Sequence, residues 1–134
     1  MSDRLTFDSE AILAFFLGEI GAELVRDNLE RVQKGEAEGY INILNLTEIY
    51  YILSRVSPNM AEEKQRNLRL YGLKIVPIED NGLWREAARI KCDHSISLAD
   101  AFAVATAENL KTKLIVGSDK EFTNLNVQLV RIRG

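Results

Sequence analysis

The chain has 134 residues, of which 46% are hydrophobic and 28% are charged, and its formal net charge is −3. This size and balance predict one globular domain with a real core, and the slight negative charge argues against a broad basic face for nucleic acid. The lone cysteine, Cys92, excludes an internal disulfide and fits a reducing cytoplasm. No apolar stretch approaches the roughly 20 residues of a membrane span, so we expect a soluble, cytoplasmic protein without a membrane partner.

Predicted strands and helices alternate along the chain, which is typical of a parallel sheet covered on both faces. The apolar segments predicted as strands are Arg4–Phe7, Gly39–Leu44, Lys74–Ile78, Lys113–Val116 and Val127–Ile132. The predicted helices run from a Ser9 cap to Gly18, over Glu19–Lys34, onward from an Asn45 or Thr47 cap, over Asn59–Tyr71 and Asn81–Lys91, and from a Ser97 cap to Asn109. Residues 1–134 are therefore expected to form a single α/β domain.

Four acidic residues stand where the predicted structure changes: Asp8, Glu48, Asp100 and Asp119. Asp8 ends the first apolar run, Glu48 follows the second, Asp100 opens an alanine-rich helix, and Asp119 comes just after the fourth strand. Because the carboxyl ends of parallel strands share one edge of the sheet, acids at those ends meet in space. Carboxylates that must meet usually do so around a divalent cation, and their hard oxygen ligands suit Mg²⁺ or Mn²⁺.

Each acid also has a purely structural interpretation. Asp8 can cap the helix that follows it, and Glu48 can occupy a first helical turn, where the helix dipole favours acids. Asp100 can be an N-terminal helix acid, although its helix is apolar on nearly every side and an unpartnered carboxylate there would be costly. Asp119 can be a turn residue, although the small Gly117 before it would allow a ligand to approach closely. The residues alone leave both interpretations open.

Taken in order, these segments resemble the PIN-domain family, and most closely its small prokaryotic members, the VapC-type toxins. The segments that carry the resemblance are Leu5-Thr6-Phe7-Asp8-Ser9, Asn45-Leu46-Thr47-Glu48-Ile49-Tyr50-Tyr51, Leu98-Ala99-Asp100-Ala101-Phe102-Ala103-Val104-Ala105-Thr106-Ala107 and Leu114-Ile115-Val116-Gly117-Ser118-Asp119-Lys120-Glu121-Phe122. They span nearly the whole chain, and the last two are the more specific. The resemblance implies a PIN-like three-layer α/β/α sandwich whose five-stranded parallel sheet has the order 3-2-1-4-5.

The resemblance also implies a function. It points to an endoribonuclease that depends on Mg²⁺ or Mn²⁺, acts on RNA and serves as the toxin of a type II toxin–antitoxin pair. The family's catalytic quartet falls on Asp8, Glu48, Asp100 and Asp119. The three aspartates would hold the metal, and Glu48 would bind a second ion or orient the attacking water. A homodimer and a small antitoxin protein are the partners that the resemblance implies.

Two serines, Ser9 and Ser118, keep small hydroxyl residues beside acids of the quartet and are expected to support them. The family often has threonine or asparagine at the second of these positions. Because His94 is the only histidine, a ribonuclease that works with paired histidines is excluded. The basic residues available to steer RNA, which the sequence does not rank, are Arg4, Arg26, Arg55, Arg85, Lys113 and Lys120.

Apolar side chains on the first and third predicted helices exceed what one small core needs. They are Phe15, Phe16, Leu17, Tyr50, Tyr51 and Leu53. The resemblance implies that they serve homodimerisation and an antitoxin groove, and a well-filled monomer core is the alternative.

Other functions stay open at this point. An RNA-processing PIN nuclease that is not a toxin would use the same acids, and an inactive PIN-like domain could serve as a binding module. A phosphoryl-transfer enzyme with Asp8 as nucleophile would need a second acid two residues on, where Glu10 lies, and a lysine such as Lys120. Retention of all four acids counts against the inactive module, because a non-catalytic fold has no reason to keep repelling carboxylates together.

Overall fold

A computed structural model describes residues 3–79, 81–117, 122 and 125–133. The elements within these residues are β1 (Asp3–Phe7), α1 (Ser9–Leu17), α2 (Ala22–Gln33), β2 (Ala37–Asn42), α3 (Ile43–Val56), α4 (Pro58–Tyr71), β3 (Lys74–Val76), α5 (Asn81–Asp93), α6 (Leu98–Leu110), β4 (Lys113–Val116) and β5 (Leu129–Arg131). All strand pairs are parallel. The sheet order is β3-β2-β1-β4-β5, which confirms the predicted order 3-2-1-4-5.

Two buried clusters, one on each face of the sheet, make the molecule a three-layer sandwich. Leu5, Phe7 and Ile115 pack with apolar residues of α1 to α4. Leu114 and Val116 pack with α5 and α6 on the other face. This division follows from the strand itself, in which successive side chains point to opposite faces. The expected α/β/α architecture is therefore present.

The boundary between β2 and α3 differs from the prediction. The strand ends at Asn42, whose side-chain oxygen accepts a hydrogen bond from the Leu44 N–H at 2.8 Å and so caps the helix. Ile43 and Leu44 belong to the helix and not to the strand. The misplacement arose because a short apolar run reads equally well as a buried strand or as a buried helical turn.

Other boundaries moved by a few residues. Strands β3 and β5 are shorter than predicted, and α5 continues to Asp93. Helix α2 begins at Ala22, after Gly21 at φ 96°, a left-handed conformation that glycine adopts without steric cost. Among the described residues, none of the helices combines the length and the apolar character needed to cross a membrane.

The order of the strands creates a crevice at the end of β1. Strand β1 lies between β2 and β4, so the chain runs outward in opposite directions from this point. The Asp8 N–H continues the ladder by donating to the Ile115 carbonyl at 3.0 Å. Ligands of open α/β sheets bind at such a reversal, beside the carboxyl ends of the strands.

Candidate active site

Asp8 caps a helix and also presents a free carboxylate oxygen. Its Oδ1 accepts a hydrogen bond from the Ala11 N–H at 2.7 Å, which makes Asp8, rather than the predicted Ser9, the cap of α1. The residue is fully buried, and its Oδ2 has no hydrogen-bond partner within the part of the chain that the structure describes. The cap interpretation and the ligand interpretation are therefore compatible, because each uses a different oxygen.

The surroundings of Asp8 disfavour its charge. Burial raises the pKa of Asp8 well above its usual range. The hydrogen bond from the Ala11 N–H lowers this pKa and so opposes the effect of burial in part. The carboxylates of Asp100, Glu10 and Glu48 each raise the pKa of Asp8 further. Three acids carried by α1, α3 and α6 thus lie within electrostatic reach of Asp8, as expected for acids near one edge of the sheet. A buried carboxylate among like charges is an arrangement that a bound cation would relieve.

Glu48 does not lie in a first helical turn. Because α3 begins at Ile43, Glu48 is one turn further along, and the first turn holds no acid. The dipole effect fades beyond the first turn, so it gives no structural reason for an acid at this position. Glu48 is half-buried, and its charge raises the pKa of Asp8. The correction strengthens the interpretation of Glu48 as a site residue.

Asp100 opens α6 as predicted and forms a capping box with Ser97. The Asp100 N–H donates to the Ser97 hydroxyl at 3.1 Å, and the Ser97 N–H donates to Asp100 Oδ2 at 3.4 Å. The structural interpretation of this acid is thus correct as far as it goes. It does not account for the proximity to Asp8, whose pKa Asp100 raises.

The fourth acid, Asp119, and its neighbour Ser118 lie outside the described residues, as does Lys120. The strand that leads to them ends beside the site, and Gly117 follows it directly. A Cβ at Gly117 would lie 2.4 Å from the carboxylate carbon of Glu10, so the absent side chain leaves room for this carboxylate. The group that comes close to Gly117 is a side chain of the protein itself, and the predicted approach of a ligand at this glycine stays a prediction.

Asn45 is a residue that the sequence interpretation missed at this site. Its side-chain amide donates to the Ser9 hydroxyl at 3.0 Å and to the Ala99 carbonyl at 3.1 Å. The buried Asn45 thereby connects the starts of α1 and α6 to α3, the three helices that carry the acids. The available signal was its spacing, since residues three apart share one helix face and Asn45 precedes Glu48 by three. Ser9 takes part in this connection, and its role in supporting the acids stays a prediction.

The candidate RNA-steering residues divide into two groups. Arg4 and Lys113 lie at the amino-terminal ends of β1 and β4, the edge of the sheet opposite the acids, where they pair with Glu38 and Asp3. This position argues against contact with a substrate at the acids. Three others lie on helices, as the sequence assigns: Arg26 pairs with acids of α2, and Arg55 and Arg85 lie over aromatic rings. Lys120 lies outside the described residues.

The fit of a divalent cation depends on donors that the structure describes only in part. Among the described residues, no group of three or more aspartate, glutamate, histidine or cysteine side chains is placed so that it could hold a metal ion. The donor chemistry nevertheless fits a hard cation, because the side chains around Asp8 are carboxylates and one buried oxygen of Asp8 has no partner. Asp8, Asp100 and Glu48 are the described members of the predicted set of ligands, and their role as ligands stays a prediction.

Fold and site together define a class: a parallel α/β domain with acidic residues gathered at its topological reversal. A family model described as PIN domain matches residues 5–127. The chain belongs to the PIN-domain family, and this result confirms the family resemblance found in the sequence. None of the curated proteins compared with the chain matches it.

Solved structures share the fold at low sequence identity. A toxin–antitoxin complex from Klebsiella pneumoniae contains a chain with 17% identity and a TM-score of 0.72, covering 96% of this chain and 97% of that one. VapBC2 from Rickettsia felis, bound to a DNA fragment from its promoter, gives 14% identity, a TM-score of 0.76 and coverage of 96% and 98%. DNA-bound VapBC from Salmonella typhimurium has 14% identity and a TM-score of 0.69, and the match covers 98% of this chain and 99% of that one.

Proposed function

We propose that this chain is a divalent-cation-dependent endoribonuclease and the toxin of a type II toxin–antitoxin pair. The observation that carries the nuclease is the buried Asp8 Oδ2, which has no partner among the described residues and lies among acids that raise the pKa of its carboxyl. PIN domains are in general nucleases, which supports the reaction class. The toxin role is supported by structural neighbours that are themselves parts of toxin–antitoxin complexes.

In this proposal each acid has a separate task. Asp8 and Asp100 hold the cation together with Asp119, and Glu48 orients the attacking water or serves a second ion. Asn45 and Ser9 keep the starts of α1 and α6 at a constant separation, so that carboxylates from different helices face one point. Such positioning matters because carboxylates must be in place before the substrate binds.

A Mg²⁺ or Mn²⁺ ion bound there would lower the pKa of a coordinated water and neutralise the scissile phosphate. Hydrolysis would join the water oxygen to phosphorus, break the bond to the 3′ oxygen and transfer a proton to that leaving oxygen. The products would be a 5′-phosphate and a 3′-hydroxyl. The acids of this chain would receive the proton that the water loses and would hold the cation to which the phosphate binds.

Cleavage of a mixed RNA panel tests the proposal. Wild type, Asp8→Asn and Asp100→Asn are each assayed with Mn²⁺, with Mg²⁺ and with chelator, and Asp3→Asn serves as a matched control at the other end of β1. We expect cleavage by wild type and Asp3→Asn only with metal, and none by the two site variants. Equal behaviour of all four proteins, or cleavage in chelator, would contradict the nuclease assignment.

Induction in a bacterial host separates the toxin from an RNA-processing nuclease. A toxin arrests growth when the wild-type chain is expressed, and Asp8→Asn relieves the arrest. Active protein that leaves growth unchanged would favour the processing nuclease, and protein that neither cleaves RNA nor binds metal would favour the inactive binding module. Stable phosphorylation of Asp8 would support the phosphoryl-transfer enzyme, which would require Glu10 to leave its ion pair with Arg133.

The proposed protein partners would use apolar surface left outside the core. Leu53 is fully buried and belongs to the core, whereas Tyr51 and Leu17 are 47% and 42% exposed. Phe15 and Phe16 line a groove between α1 and α4 beside Leu70, which is 74% exposed. We assign this groove to the antitoxin, and we expect the purified chain to be a homodimer by light scattering.

A further inference from the structure

The acid nearest to Asp8 in the sequence, Glu10, has a constrained position that the quartet does not require. Glu10 lies in the first turn of α1, and its Oε1 is 2.5 Å from Arg133 Nη2, beyond the end of β5. Arg133 is held in turn, because its Nη1 donates to the Ile20 carbonyl at 3.0 Å. The ion pair joins residues 123 positions apart and brings Glu10 into the environment of Asp8.

The space beside Gly117 is the second feature that constrains the position of the Glu10 carboxylate. Both carboxylate oxygens of Glu10 lie within 2.8 Å of the position that a Cβ of Gly117 would occupy. The Gly117 backbone has no positive φ, so its conformation alone does not call for glycine. The absent side chain therefore provides space for the Glu10 carboxylate at the carboxyl end of β4, the edge where the site lies.

We propose that Glu10 is a fifth carboxylate of the cation site and that Arg133 is its counter-ion in the cation-free protein. This inference rests on the proposed function. The independent observation that points to a ligand at this cluster is Asp8 Oδ2, which is fully buried and has no partner among the described residues. Glu10 increases the attraction for a divalent cation, and Arg133 lowers the repulsion among the acids when no cation is bound.

An ordinary ion pair at a helix start predicts a different result from this proposal. Losing either partner of a structural pair would weaken the fold and leave cation affinity unchanged, or reduce it in both variants. A fifth carboxylate and its counter-ion act on a cation with opposite signs. Glu10→Gln removes an attractive charge and should weaken Mn²⁺ binding, whereas Arg133→Gln removes a repulsive charge and should strengthen it.

Calorimetric titration of the purified full chain with Mn²⁺ at a single neutral pH measures both effects without any substrate. We expect Kd to rise on the order of fivefold in Glu10→Gln and to fall about threefold in Arg133→Gln. Arg31→Gln is the matched control, because Arg31 pairs with Asp3 at the opposite edge of the sheet, and its Kd should equal that of wild type. Wild-type Kd values in Glu10→Gln and Arg133→Gln, or a weaker Kd in both, would overturn the inference.

A double-mutant cycle tests the role of Gly117. The three atoms nearest to a methyl group at Gly117 belong to the far end of the Glu10 side chain, so Gly117→Ala should fold and displace the carboxylate. We expect Gly117→Ala to weaken Mn²⁺ binding in the wild type and to have no further effect in Glu10→Ala. Additive effects would contradict a role through Glu10.

The same titrations distinguish the two levels of the proposal. If wild type binds Mn²⁺, Asp8→Asn does not, and Glu10→Gln binds as wild type does, the nuclease assignment stands and the role of Glu10 is wrong. If wild type itself does not bind Mn²⁺, the cation site and the role of Glu10 both fail.

Discussion

Aspartates flank strand β1 at both ends, and their environments are opposite. At the amino-terminal edge, Asp3 lies 2.8 Å from Arg31 and 3.5 Å from Lys113, and these cations hold the pKa of its carboxyl below its usual range. At the carboxyl edge, burial and three neighbouring acids hold the pKa of Asp8 well above its usual range. One residue type thus has two electrostatic environments within a single strand.

The rest of each edge follows the same division. At the amino-terminal edge, Arg4 bonds to Glu38, to the Tyr40 hydroxyl and to the Leu110 carbonyl, and Lys74 approaches Glu38 at 3.9 Å. Charges of both signs alternate there, as in a surface network that supports the fold. At the carboxyl edge Asp100, Glu10 and Glu48 each raise the pKa of Asp8, and Arg133 pairs with Glu10.

The comparison separates structural charge from functional charge. Paired charges require no ligand, whereas gathered acids cost folding free energy that only a bound cation or a shared proton can return. Natural proteins commonly keep such unfavourable arrangements at functional sites. The carboxyl edge of β1 is therefore the place where substitutions should change binding and reaction, and the amino-terminal edge the place where they should change stability alone.

Replacing each aspartate with asparagine should give the largest contrast in activity. We expect Asp8→Asn to reduce metal-dependent RNA cleavage by more than about a hundredfold, beyond the loss seen when an outer partner of a metal ligand is removed. Asp3→Asn should retain the wild-type rate, because Asp3 lies at the opposite edge. Initial cleavage rates at saturating Mn²⁺ measure both. A comparable loss in the two variants would show that the edges do not differ in function.

Adding and removing the cation should change the stability of the wild type and of Asp3→Asn, and leave Asp8→Asn unchanged. Mn²⁺ at a hundredfold excess over Kd stabilises the folded state by about 2.7 kcal/mol, which raises the Tm of a chain of this size by roughly 8 °C. Chelator should reverse the increase. Thermal unfolding followed by circular dichroism measures it, and an equal increase in Asp8→Asn would place the cation elsewhere.

The sequence predicted the fold and the gathering of the acids from two general regularities. Alternating strands and helices indicate a parallel sheet, and acids after successive strands meet at one edge. The sequence could not predict the partner of Glu10, because the contact with Arg133 spans the chain and depends on how β5 ends. The start of α3 was misplaced because Asn42 looked like a strand residue, and its capping bond exists only once the chain turns there.

Asn45 shows why side-chain contacts between helices are harder to predict than the topology of the sheet. Its position on α3 was visible, and it was interpreted as a helix cap. Its actual partners, Ser9 and the Ala99 carbonyl, belong to helices 36 and 54 residues away. Such contacts depend on the distances between packed helices, which a single sequence does not specify.

Removal of the Asn45 amide should lower both the stability of the fold and the rate of cleavage, because Asn45 connects the helices that carry the acids. Asn45→Ala loses two buried hydrogen bonds, at a cost of about 2 kcal/mol of unfolding free energy, and should reduce cleavage on the order of tenfold. Thr47→Ala is the control, because Thr47 is exposed on the same helix and its hydroxyl donates, within the described part of the chain, only to the Ile43 carbonyl. Urea unfolding and initial cleavage rates measure the two effects. Equal losses in Asn45→Ala and Thr47→Ala would show that Asn45 has no special role at the site.

The smallest expected effects are opposite pH dependences of stability in the cation-free protein. The pKa of Asp8 is raised by folding, so its favourable contribution is complete below about pH 4 and is lost as pH rises towards the folded pKa. The pKa of Asp3 is lowered by folding, so its contribution is present above about pH 4 and is lost as pH falls through the folded pKa.

Thermal unfolding in chelator from about pH 3.5 to about pH 8 separates the effects of the two aspartates, because this range begins just below the ordinary aspartate pKa of about 3.9 and extends well above it. At neutral pH, Asp8→Asn should be more stable than wild type by several degrees in Tm, and the difference should vanish near pH 4 as the wild-type carboxyl becomes protonated in both states. Asp3→Asn should be slightly less stable at neutral pH and should also converge with wild type in acid. An Asp8→Asn variant that is less stable than wild type at neutral pH would show that the buried carboxylate is compensated within the protein, and that the two edges are electrostatically alike.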